Sequence, residues 1–517
     1  MTNIFLGDYF SLDDSGYLGR SIANRTLLKA IFACRSFDKV FAVGNPAVFE
    51  RLNMPEVVRR KLATVGSVTE LTATFQQKEI AAIFCSNFGK KYAQLVHFRN
   101  SLGLTCPVFG MTHTLSYQDE VGALFRLFCA GPTHQDAILC TSRAALDVMG
   151  RHIERVRKVL AFSPEGPRLL RFPLGLDTAA LSEPPRKSTK HFQVTFVGRL
   201  DWLNKADLLV IPRIVDNLPA GHRLRFTIAG GSDNPGYIRL LKQACANRPV
   251  QILQDIPDPV RNQLYCDSHV LFSPVDNYQE TFGLTVIEAK QQGCVPVVSD
   301  FDGYRDLVED GVDGILLKTY AARIPEVLLK AQILMPDPVY HGWWAAGVTI
   351  DPREAASALY RLSQEPDRWL AMSIKSTESA SRYDIAATAD RFAELLASVP
   401  AGTTSSEAPQ NPFHIDYSDV FRNHPVTFWK NEKLELTKSG THCLATRDVQ
   451  MIPQLSILSG AVSAADVFGF LDAVKENGNV SQLLASGTEP IIISLALKDG
   501  LINIVDDSRS VAPETAR

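Results

Sequence analysis

Two glutamates that flank a short run of small and apolar residues are the first candidates for chemistry in this chain. Glu280 and Glu288 enclose the stretch TFGLTVI, and the residues that follow have the pattern of a helix and then a short apolar strand. The first turn of a helix leaves backbone N–H groups without partners and attracts anions. Carboxylates are good acceptors for sugar hydroxyls, so the pattern indicates a ligand with both anionic groups and hydroxyls. In the structural alternative, Glu280 complements the helix dipole and Glu288 is an exposed helix acid.

Two basic residues follow another apolar run, which ends at Gly198. Arg199 and Lys205 lie in the stretch GRLDWLNK, at the carboxyl end of a predicted strand, where open parallel sheets bind ligands. A guanidinium offers a planar fork of donors and an ammonium a compact charge, and both suit phosphate oxygens. Taken alone, the two residues are more often surface cations in a loop.

Three further features offer weaker signals. His113, in GMTHTLSY, follows an apolar run and is either structural or part of a ligand site. PLGLD, at residues 173–177, is by itself a turn with a helix cap. The tandem Asp13-Asp14 suggests a metal ion, but acids in an N-terminal loop are usually solvated, so no metal site is predicted.

Strands and helices must position these residues, and short apolar runs separated by helical periodicity predict where they lie. The predicted strands cover residues 3–6, 39–43, 80–85, 107–111 and 137–140 and, after a polar bridge at 182–190, residues 193–197, 225–229, 251–253, 269–272 and 295–298. The predicted helices cover residues 21–33, 121–130, 205–217, 237–246, 259–266 and 283–292. Continuous apolar runs are typical of parallel strands buried on both faces. We therefore predict an α/β fold with two Rossmann-like domains that face each other across a cleft.

The predicted domains are an N-terminal domain at residues 1–180, a second domain at 181–398 and a C-terminal module at 421–517. The intervening stretch at 399–420 is rich in Pro, Ser and Thr and reads as a linker. The module has the order helix, helix, helix, strand, a small α+β arrangement that resembles a winged helix. Few basic residues occur in it, so we expect a docking or dimerisation role, which would bring a protein partner or a second copy, and not DNA binding.

Composition excludes several classes of protein. The net charge of -3 over 517 residues argues against a nucleic-acid binder. The nine cysteines are scattered without CxxC pairs, which is typical of a reducing compartment. The N-terminus has no basic region followed by an apolar run, and no apolar stretch approaches the length of a membrane span. We expect a cytoplasmic protein, and peripheral association with a membrane stays open.

Four motifs taken together carry a family resemblance. GRLDWLNK, PLGLD, ETFGLTVIEA and GCVPVVSDFDGYRDLVEDGVDGILL resemble the retaining glycosyltransferases of family 4 (glycosyl transferases group 1), which have the GT-B fold. The likeness covers residues 1–395, is strongest at 192–317 and is weakest before His113. It implies an enzyme that transfers a sugar from a nucleotide-diphosphate-sugar of the UDP or GDP type, with retention of the anomeric configuration and without a metal ion or other cofactor.

The resemblance also implies a role for each candidate residue. Arg199 and Lys205 would neutralise the diphosphate, Glu280 would contact the donor sugar, and His113 would line the reaction centre. Glu288 would bind the ribose hydroxyls. The remaining donor-binding candidates contribute backbone or small side chains near the phosphates, the sugar or the base: Gly16, Gly19, Gly198, Ile256, Pro257, Phe282, Gly283, Leu284 and Thr285.

The chain departs from the family pattern at three places. Ala206 follows Lys205 where the family has glycine, and SLDDSGYLGR, at residues 11–20, lacks the family's paired glycines. Residues 333–350 read as an insertion with two tryptophans, either a platform for the acceptor or, as we favour, a packing wedge between the domains.

Two other functions and the identity of the acceptor stay open. One alternative is a catalytically silent scaffold that binds a nucleotide or sugar and acts through the C-terminal module. Another is a phosphorylase-like enzyme, although no motif for a pyridoxal phosphate lysine is found. The acceptor is a glycan, a lipid, a protein or a small molecule.

Overall fold

The computed structural model describes residues 2–8, 19–43, 49, 52, 56–160, 166–176, 187–188, 190–400, 413, 429–458 and 461–505. The chain divides into two compact units. The first comprises residues 1–42, 46–63 and 80–411, and the second comprises residues 43–45, 64–79 and 412–517. The tandem Asp13-Asp14, Gly16, Asp177 and nearly all of the predicted linker lie outside the described residues.

The strands of the described residues are short, and most of them are buried. In chain order they are β1 (Asn3–Leu6), β2 (Lys39–Val43), β3 (Leu62–Val65), β4 (Ile80–Cys85), β5 (Val108–Met111), β6 (Ala137–Cys140), β7 (Arg168–Arg171), β8 (Phe192–Val197), β9 (Leu224–Gly230), β10 (Val250–Gln254), β11 (Val270–Ser273), β12 (Val295–Ser299), β13 (Ile315–Leu317), β14 (Thr319–Ala321), β15 (Val348–Ile350), β16 (Leu434–Leu436) and β17 (Ile502–Ile504).

The helices alternate with these strands over most of the chain. They are α1 (Gly19–Ala33), α2 (Glu56–Arg59), α3 (Val68–Gln77), α4 (Ala93–Ser101), α5 (Asp119–Cys129), α6 (Arg143–Val159), α7 (Val210–Asp216), α8 (Pro235–Cys245), α9 (Asp258–Asp267), α10 (Leu284–Gln291), α11 (Tyr304–Leu307), α12 (Glu326–Ala331), α13 (Asp337–Ala345), α14 (Pro352–Gln364), α15 (Pro366–Ala380), α16 (Ile385–Ala397), α17 (Lys438–Thr446), α18 (Ala464–Glu476), α19 (Val480–Ala485) and α20 (Pro490–Lys498).

Two parallel sheets organise the first unit, as the sequence predicts. The seven-stranded sheet has the order β3-β2-β1-β4-β5-β6-β7, and the six-stranded sheet has the order β10-β9-β8-β11-β12-β13. The strand order reverses between β1 and β4 in one sheet and between β8 and β11 in the other. Open parallel sheets bind ligands outside the carboxyl ends of the strands at such reversals. The loops that follow β8 and β11 are therefore placed side by side.

Helix α16 ties the end of the second Rossmann-like domain to the first. The ring of Phe392 on this helix lies 5.2 Å from Phe84 of β4 and 4.8 Å from Phe172, which follows β7. All three side chains belong to one continuous buried cluster that also includes Phe282 and Val286 from the other domain. A second cluster fills the space beneath α7, α8 and α14. The shared cluster holds the two sheets in one body.

The prediction that a helix begins at Lys205 is wrong. Helix α7 begins only at Val210, and residues 201–209 form turns. The carboxylate of Asp201 accepts hydrogen bonds from the backbone N–H of Leu203 at 2.9 Å and from the Asn204 side chain at 2.7 Å. An aspartate that bonds to nearby N–H groups competes with helix formation. Lys205 therefore lies in a loop at the end of β8.

The second unit contains a small α+β module with a core of its own. Strands β16 and β17 pair antiparallel, with Leu434 opposite Ile504 and Leu436 opposite Ile502. Apolar side chains from α17, α18, α19 and α20 pack against this pair of strands. Helix α18 begins with a capping box between Ser463 and Asp466. The predicted order of three helices and a strand is confirmed by α18, α19, α20 and β17, and α17, which was not predicted, precedes them.

Of the described helices, none combines the length and the apolar character that crossing a membrane requires.

We expect Gly230→Ala to destabilise the protein more than Gly221→Ala. Both glycines have positive φ, at +155° and +76°, so alanine is strained at either site. A Cβ on Gly230 would also lie 1.7 Å from the carbonyl oxygen of Gly198, whereas Gly221 has open space around it. We expect a loss of about 1 kcal/mol of unfolding free energy at Gly221 and of about 3 kcal/mol at Gly230. Urea denaturation of the two variants measures the difference, and equal losses would show that the loops after β8 and β9 are not in close contact.

Candidate functional site

A cavity of about 670 Å³ opens between the two Rossmann-like domains. This volume lies in the range of small-molecule binding sites. The structure brings most of the predicted residues to its wall: His113, Gly198, Arg199, Lys205, Ile256, Glu280, Phe282, Gly283, Leu284, Thr285 and Glu288. Pro257 is exposed at the start of α9 and is not among the residues that line the cavity, and Gly19 begins α1.

The loop after β8 presents two cations with different surroundings. Arg199 is exposed and donates to the carbonyl oxygen of Asn204 at 3.2 Å. The side chain of Lys205 is only 12% exposed, because the turns that Asp201 holds direct it inward. Arg199 is therefore accessible to a ligand that enters the cleft, and Lys205 belongs to the wall of the cavity.

Lys205 and Glu280 form an ion pair inside the cavity. The two side chains come from the loops after β8 and β11, and the carboxylate of Glu280 is 18% exposed. Burial by itself lowers the pKa of Lys205, but the charge and hydrogen bond of Glu280 raise it above the usual value. Lys205 is therefore charged at neutral pH, and the pair places positive and negative groups within reach of the same ligand.

Gly283 shapes the start of α10 at the floor of the cavity. Its φ is +109°, and a Cβ at this position would lie 2.5 Å from the ring of Tyr304. Only glycine fits both the conformation and the space. The N–H groups of Leu284 and Thr285 lie in the first turn of α10, where a helix supplies no acceptors for them. This turn can therefore hold an anion beside Lys205.

Glu288 lies one turn further along α10 and faces the same cavity. Its carboxylate accepts a hydrogen bond from the hydroxyl of Tyr265 at 3.0 Å, and the guanidinium of Arg261 is 4.0 Å away. Burial raises the pKa of Glu288, and these two neighbours oppose that effect. Arg261, on α9, also lines the cavity. A ligand with hydroxyl groups would therefore meet an acceptor in Glu288 and a donor in Arg261.

His113 is held at the opposite wall by backbone groups. Its Nε2 lies 2.7 Å from the carbonyl oxygen of Ser86, and because a carbonyl only accepts, Nε2 carries the proton. Ser86 in turn donates its N–H and its hydroxyl to Asp8, at 2.9 and 2.7 Å. Burial raises the pKa of Asp8 although the bonds from Ser86 oppose this. The end of β1 thus fixes the ring of His113 through Ser86.

Thr281 connects the two walls of the cavity. Its hydroxyl donates to the carbonyl oxygen of His113 at 2.8 Å, and its own carbonyl accepts from the hydroxyl of Thr141 at 3.2 Å. Thr281 is adjacent to Glu280, so these bonds set the position of the ion pair relative to His113. Sequence analysis did not single out Thr281, although it lies inside the motif that carries the two glutamates.

The segment read as an insertion packs between the domains. The hydroxyl of Tyr340 donates to the carbonyl oxygen of Ser116 at 2.7 Å, and His341 Nε2 lies 3.2 Å from the same oxygen. His341 Nδ1 also contacts the side chain of Gln279, which donates to Asn204 at 3.0 Å. These contacts fit the packing wedge that we favoured, and they leave Asp337 at the cavity wall.

Acidic and polar side chains line the part of the cavity nearest to this wedge. Asp119 and Glu120, at the start of α5, face the cavity together with Tyr117 and Asn87. Burial, and then the charge of Asp119, raises the pKa of Glu120 to about 7. No motif in the sequence marked these residues, because the elements that carry them contain no recognisable spacing.

Within the described part of the chain, no group of three or more His, Cys, Asp or Glu side chains is arranged to hold a metal ion. The tandem Asp13-Asp14 lies outside that part.

Comparisons with known proteins concern the family that the chain resembles and its fold. Residues 177–331 match the family model of the glycosyl transferases group 1. The chain resembles this family. The matched residues include the Arg199–Lys205 loop, the ion pair and α10. The family resemblance that the four motifs predicted is therefore confirmed.

Curated relatives match part of the chain. The D-inositol 3-phosphate glycosyltransferase of Geodermatophilus obscurus is 30% identical over 174 residues, which are 31% of this chain and 39% of that protein. The protein of the same name from Corynebacterium kroppenstedtii is 25% identical over 211 residues, which are 39% of each. The matched stretches thus span about two fifths of these relatives.

Solved structures show the fold over a longer stretch. HepE of Anabaena, in a crystal structure with UDP, superposes with a TM-score of 0.50 at 15% identity, covering 77% of this chain and 100% of that one. The sucrose-phosphate synthase of Thermosynechococcus elongatus gives a TM-score of 0.50 at 15% identity, covering 76% and 98%. The two Rossmann-like domains have the GT-B arrangement that the sequence predicts.

We expect Lys205→Met to destabilise the protein and a second substitution, Glu280→Gln, to restore much of the loss. The single variant leaves a partly buried carboxylate without its partner, which costs about 2 kcal/mol of unfolding free energy. In the double variant the uncompensated charge is gone. Denaturation of the wild type, both single variants and the double variant gives the coupling energy. A coupling energy near zero would contradict the ion pair.

We expect Glu120→Gln to raise the melting temperature at pH 8 and to leave it unchanged at pH 4. The folded state raises the pKa of Glu120 to about 7 from the usual 4.5. The folded state therefore binds this proton more tightly, and stability falls as the pH rises from 4.5 through 7. Glutamine does not ionise, so the Glu120→Gln variant does not lose this stability at high pH. The exposed Glu354→Gln serves as the control, and an equal response of both variants to pH would refute the assignment to Glu120.

Proposed function

We propose that this chain is a retaining glycosyltransferase that moves a sugar from a nucleotide-diphosphate-sugar to the hydroxyl of an acceptor. The observation that carries the proposal is the Lys205–Glu280 ion pair at the first turn of α10, in a cavity that both domains line. Cationic groups and helix amides suit a diphosphate, and carboxylates beside them suit sugar hydroxyls. A ligand with both kinds of group matches this wall.

The diphosphate would lie between the loop after β8 and the first turn of α10. Arg199 is accessible to it, Lys205 supplies a fixed charge, and the N–H groups of Leu284 and Thr285 are oriented by the helix. Negative charge develops on the diphosphate as the bond to the sugar breaks. Positive groups that are already in place stabilise that charge without further rearrangement. Because these residues supply the positive charge, we propose that no metal ion or other cofactor is needed.

The nucleoside would extend away from the diphosphate along α10 and α9. Glu288, held by Tyr265 and near Arg261, would accept hydrogen bonds from the ribose hydroxyls. Ile256 lines the cavity before α9 and would meet the base with its backbone. Gly198, close to Gly230, leaves room for the phosphates to approach the end of β8.

The transferred sugar would lie between Glu280 and His113. Glu280 would accept from its hydroxyls, and His113, whose Nε2 is engaged by Ser86, would contact it from the other domain. For retention, we propose that the acceptor attacks on the face from which the diphosphate leaves, with the diphosphate taking the acceptor's proton. Glu280 and Glu288 then act as binding groups, and neither forms the covalent intermediate of retaining glycosidases.

The similar proteins indicate which nucleotide and which class of acceptor to test first. The HepE structure was solved with UDP, so UDP and UDP-sugars are the first compounds to test. The D-inositol 3-phosphate glycosyltransferases make a polyhydroxyl acceptor the first class to try. The role of the C-terminal module as a docking surface stays a prediction.

We expect UDP or another nucleoside diphosphate to raise the melting temperature of the wild type and to have a much weaker effect on Arg199→Ala. A ligand at 100 times its dissociation constant stabilises the folded state by about 2.7 kcal/mol. The exposed Arg239→Ala on α8 should respond like the wild type. In a separate activity assay, the Lys205→Ala and Glu280→Ala variants should lose most of the activity that hydrolyses the sugar conjugate of the nucleoside diphosphate that binds.

Two results would count against this proposal. Failure of UDP, GDP, ADP and TDP to shift the melting temperature would leave the donor site without support. Binding without any transfer or hydrolysis would instead favour the catalytically silent scaffold.

A further inference from the structure

A cluster of exposed apolar side chains lies beside the cavity, in the segment that leads into the wedge. Val327 is 70% exposed, Ile333 is 76% exposed and Leu334 is 79% exposed. Leu329, Val339 and Tyr320 are also exposed. We call these six residues the apolar patch: Tyr320, Val327, Leu329, Ile333, Leu334 and Val339.

The apolar patch does not contribute to the core. Helix α12 buries none of its residues, and the 3-10 turn at Gln332–Leu334 that follows it buries none either. Large aliphatic side chains that are scattered singly over a surface are ordinary, whereas a contiguous group marks a binding surface. Five of the six side chains lie within residues 327–339, so they are grouped along one segment and suit a partner outside the fold.

Basic side chains surround the patch. Lys318 lies over the ring of Tyr320, 5.0 Å from its centre, and Arg323 and Lys330 are exposed on the same segment. Glu326 pairs with Lys330, and Asp337 turns instead to the cavity wall. Lys318 and Arg323 thus place positive charge beside the apolar side chains, which complements an anionic surface.

The apolar patch lies next to the mouth of the cavity. The carbonyl oxygen of Gln332, directly before Ile333, accepts from the side chain of Gln118 at 3.2 Å. Gln118 lies between Tyr117 and Asp119, which both line the cavity. On the other side of the patch, Asp337 lines the cavity too. A surface that covers the patch would therefore lie at the entrance of the cleft.

We propose that the apolar patch and its basic rim dock this protein on a membrane surface that contains anionic lipids. Aliphatic side chains would enter the boundary between headgroups and acyl chains, and Lys318 and Arg323 would contact the headgroups. A second copy of the chain fits less well, because a stable interface uses about 20–30 residues a side and the patch has six. This inference does not depend on the proposed transfer reaction.

Docking in this orientation sets the cavity mouth against the membrane. A molecule that is anchored in the bilayer and carries a hydroxyl could then reach the wall formed by Tyr117, Asp119 and Glu120 without leaving the membrane. The sequence leaves peripheral membrane association open, although no basic amphipathic helix is visible in it. The patch is built instead from β14, α12, the 3-10 turn after it and the start of α13.

Flotation of the purified protein with vesicles tests the proposal. The vesicles are phosphatidylcholine alone or phosphatidylcholine with about one third phosphatidylglycerol. We expect the wild type to float with the anionic vesicles. The double variant Ile333→Ser, Leu334→Ser should bind them at least about tenfold more weakly. The double variant Lys318→Gln, Arg323→Gln should lose roughly tenfold on anionic vesicles and little on neutral ones.

A matched control separates docking from general surface hydrophobicity. Val159, at the end of α6, is 78% exposed and lies outside the patch, so Val159→Ser should bind vesicles like the wild type. All variants change exposed side chains, and their melting temperatures should equal that of the wild type. Absence of wild-type binding, or an equal loss in Val159→Ser, would overturn the proposal. So would a wild-type dimer that the Ile333→Ser, Leu334→Ser variant converts to a monomer, since a second copy would then be the occupant.

Discussion

The ion pair between Lys205 and Glu280 is the interaction on which the rest of the site depends. It joins the loop after β8 to the loop after β11, two strands that are neighbours only because the strand order reverses between them. Asp201 fixes one loop by bonding to its turns, and Gly283 lets the other enter α10 at a positive φ. A pair of opposite charges that is partly buried needs both loops in place, so it sets the position of the first turn of α10 beside it.

The first domain attaches to the same loop. Thr281, next to Glu280, bonds to the backbone of His113 and to Thr141, while Phe282 joins the buried cluster that α16 carries across to the first sheet. The wall with His113 is thus positioned relative to the ion pair by short hydrogen bonds and by packing. A change in the relation of the two domains would alter the distance between His113 and Glu280.

The segment from α12 to α13 serves two surfaces at once. Tyr340 and His341 hold it against the loop before α5, and Asp337 contributes to the cavity. The residues before them turn their aliphatic side chains outward, toward solvent, with basic residues around them. The same segment therefore links the mouth of the cavity to a face suited to an anionic lipid surface. An insertion that only filled space between the domains would not need this outer face.

The sequence by itself determined the two parallel sheets, most strand positions and many of the residues that line the cavity, because continuous apolar runs and a fixed local spacing encode them. Strands β3, β7, β13, β14 and β15 were not predicted, since each is only three or four residues long and too short to show a period. Tertiary structure alone decided that Lys205 lies in a loop and pairs with Glu280, and that Thr281 holds His113. It also brought Glu120, Asp337 and Arg261 to one cavity and set the apolar patch at its mouth. These relations join residues far apart in the chain, and local periodicity carries no information about which loops meet when strands are ordered in a sheet.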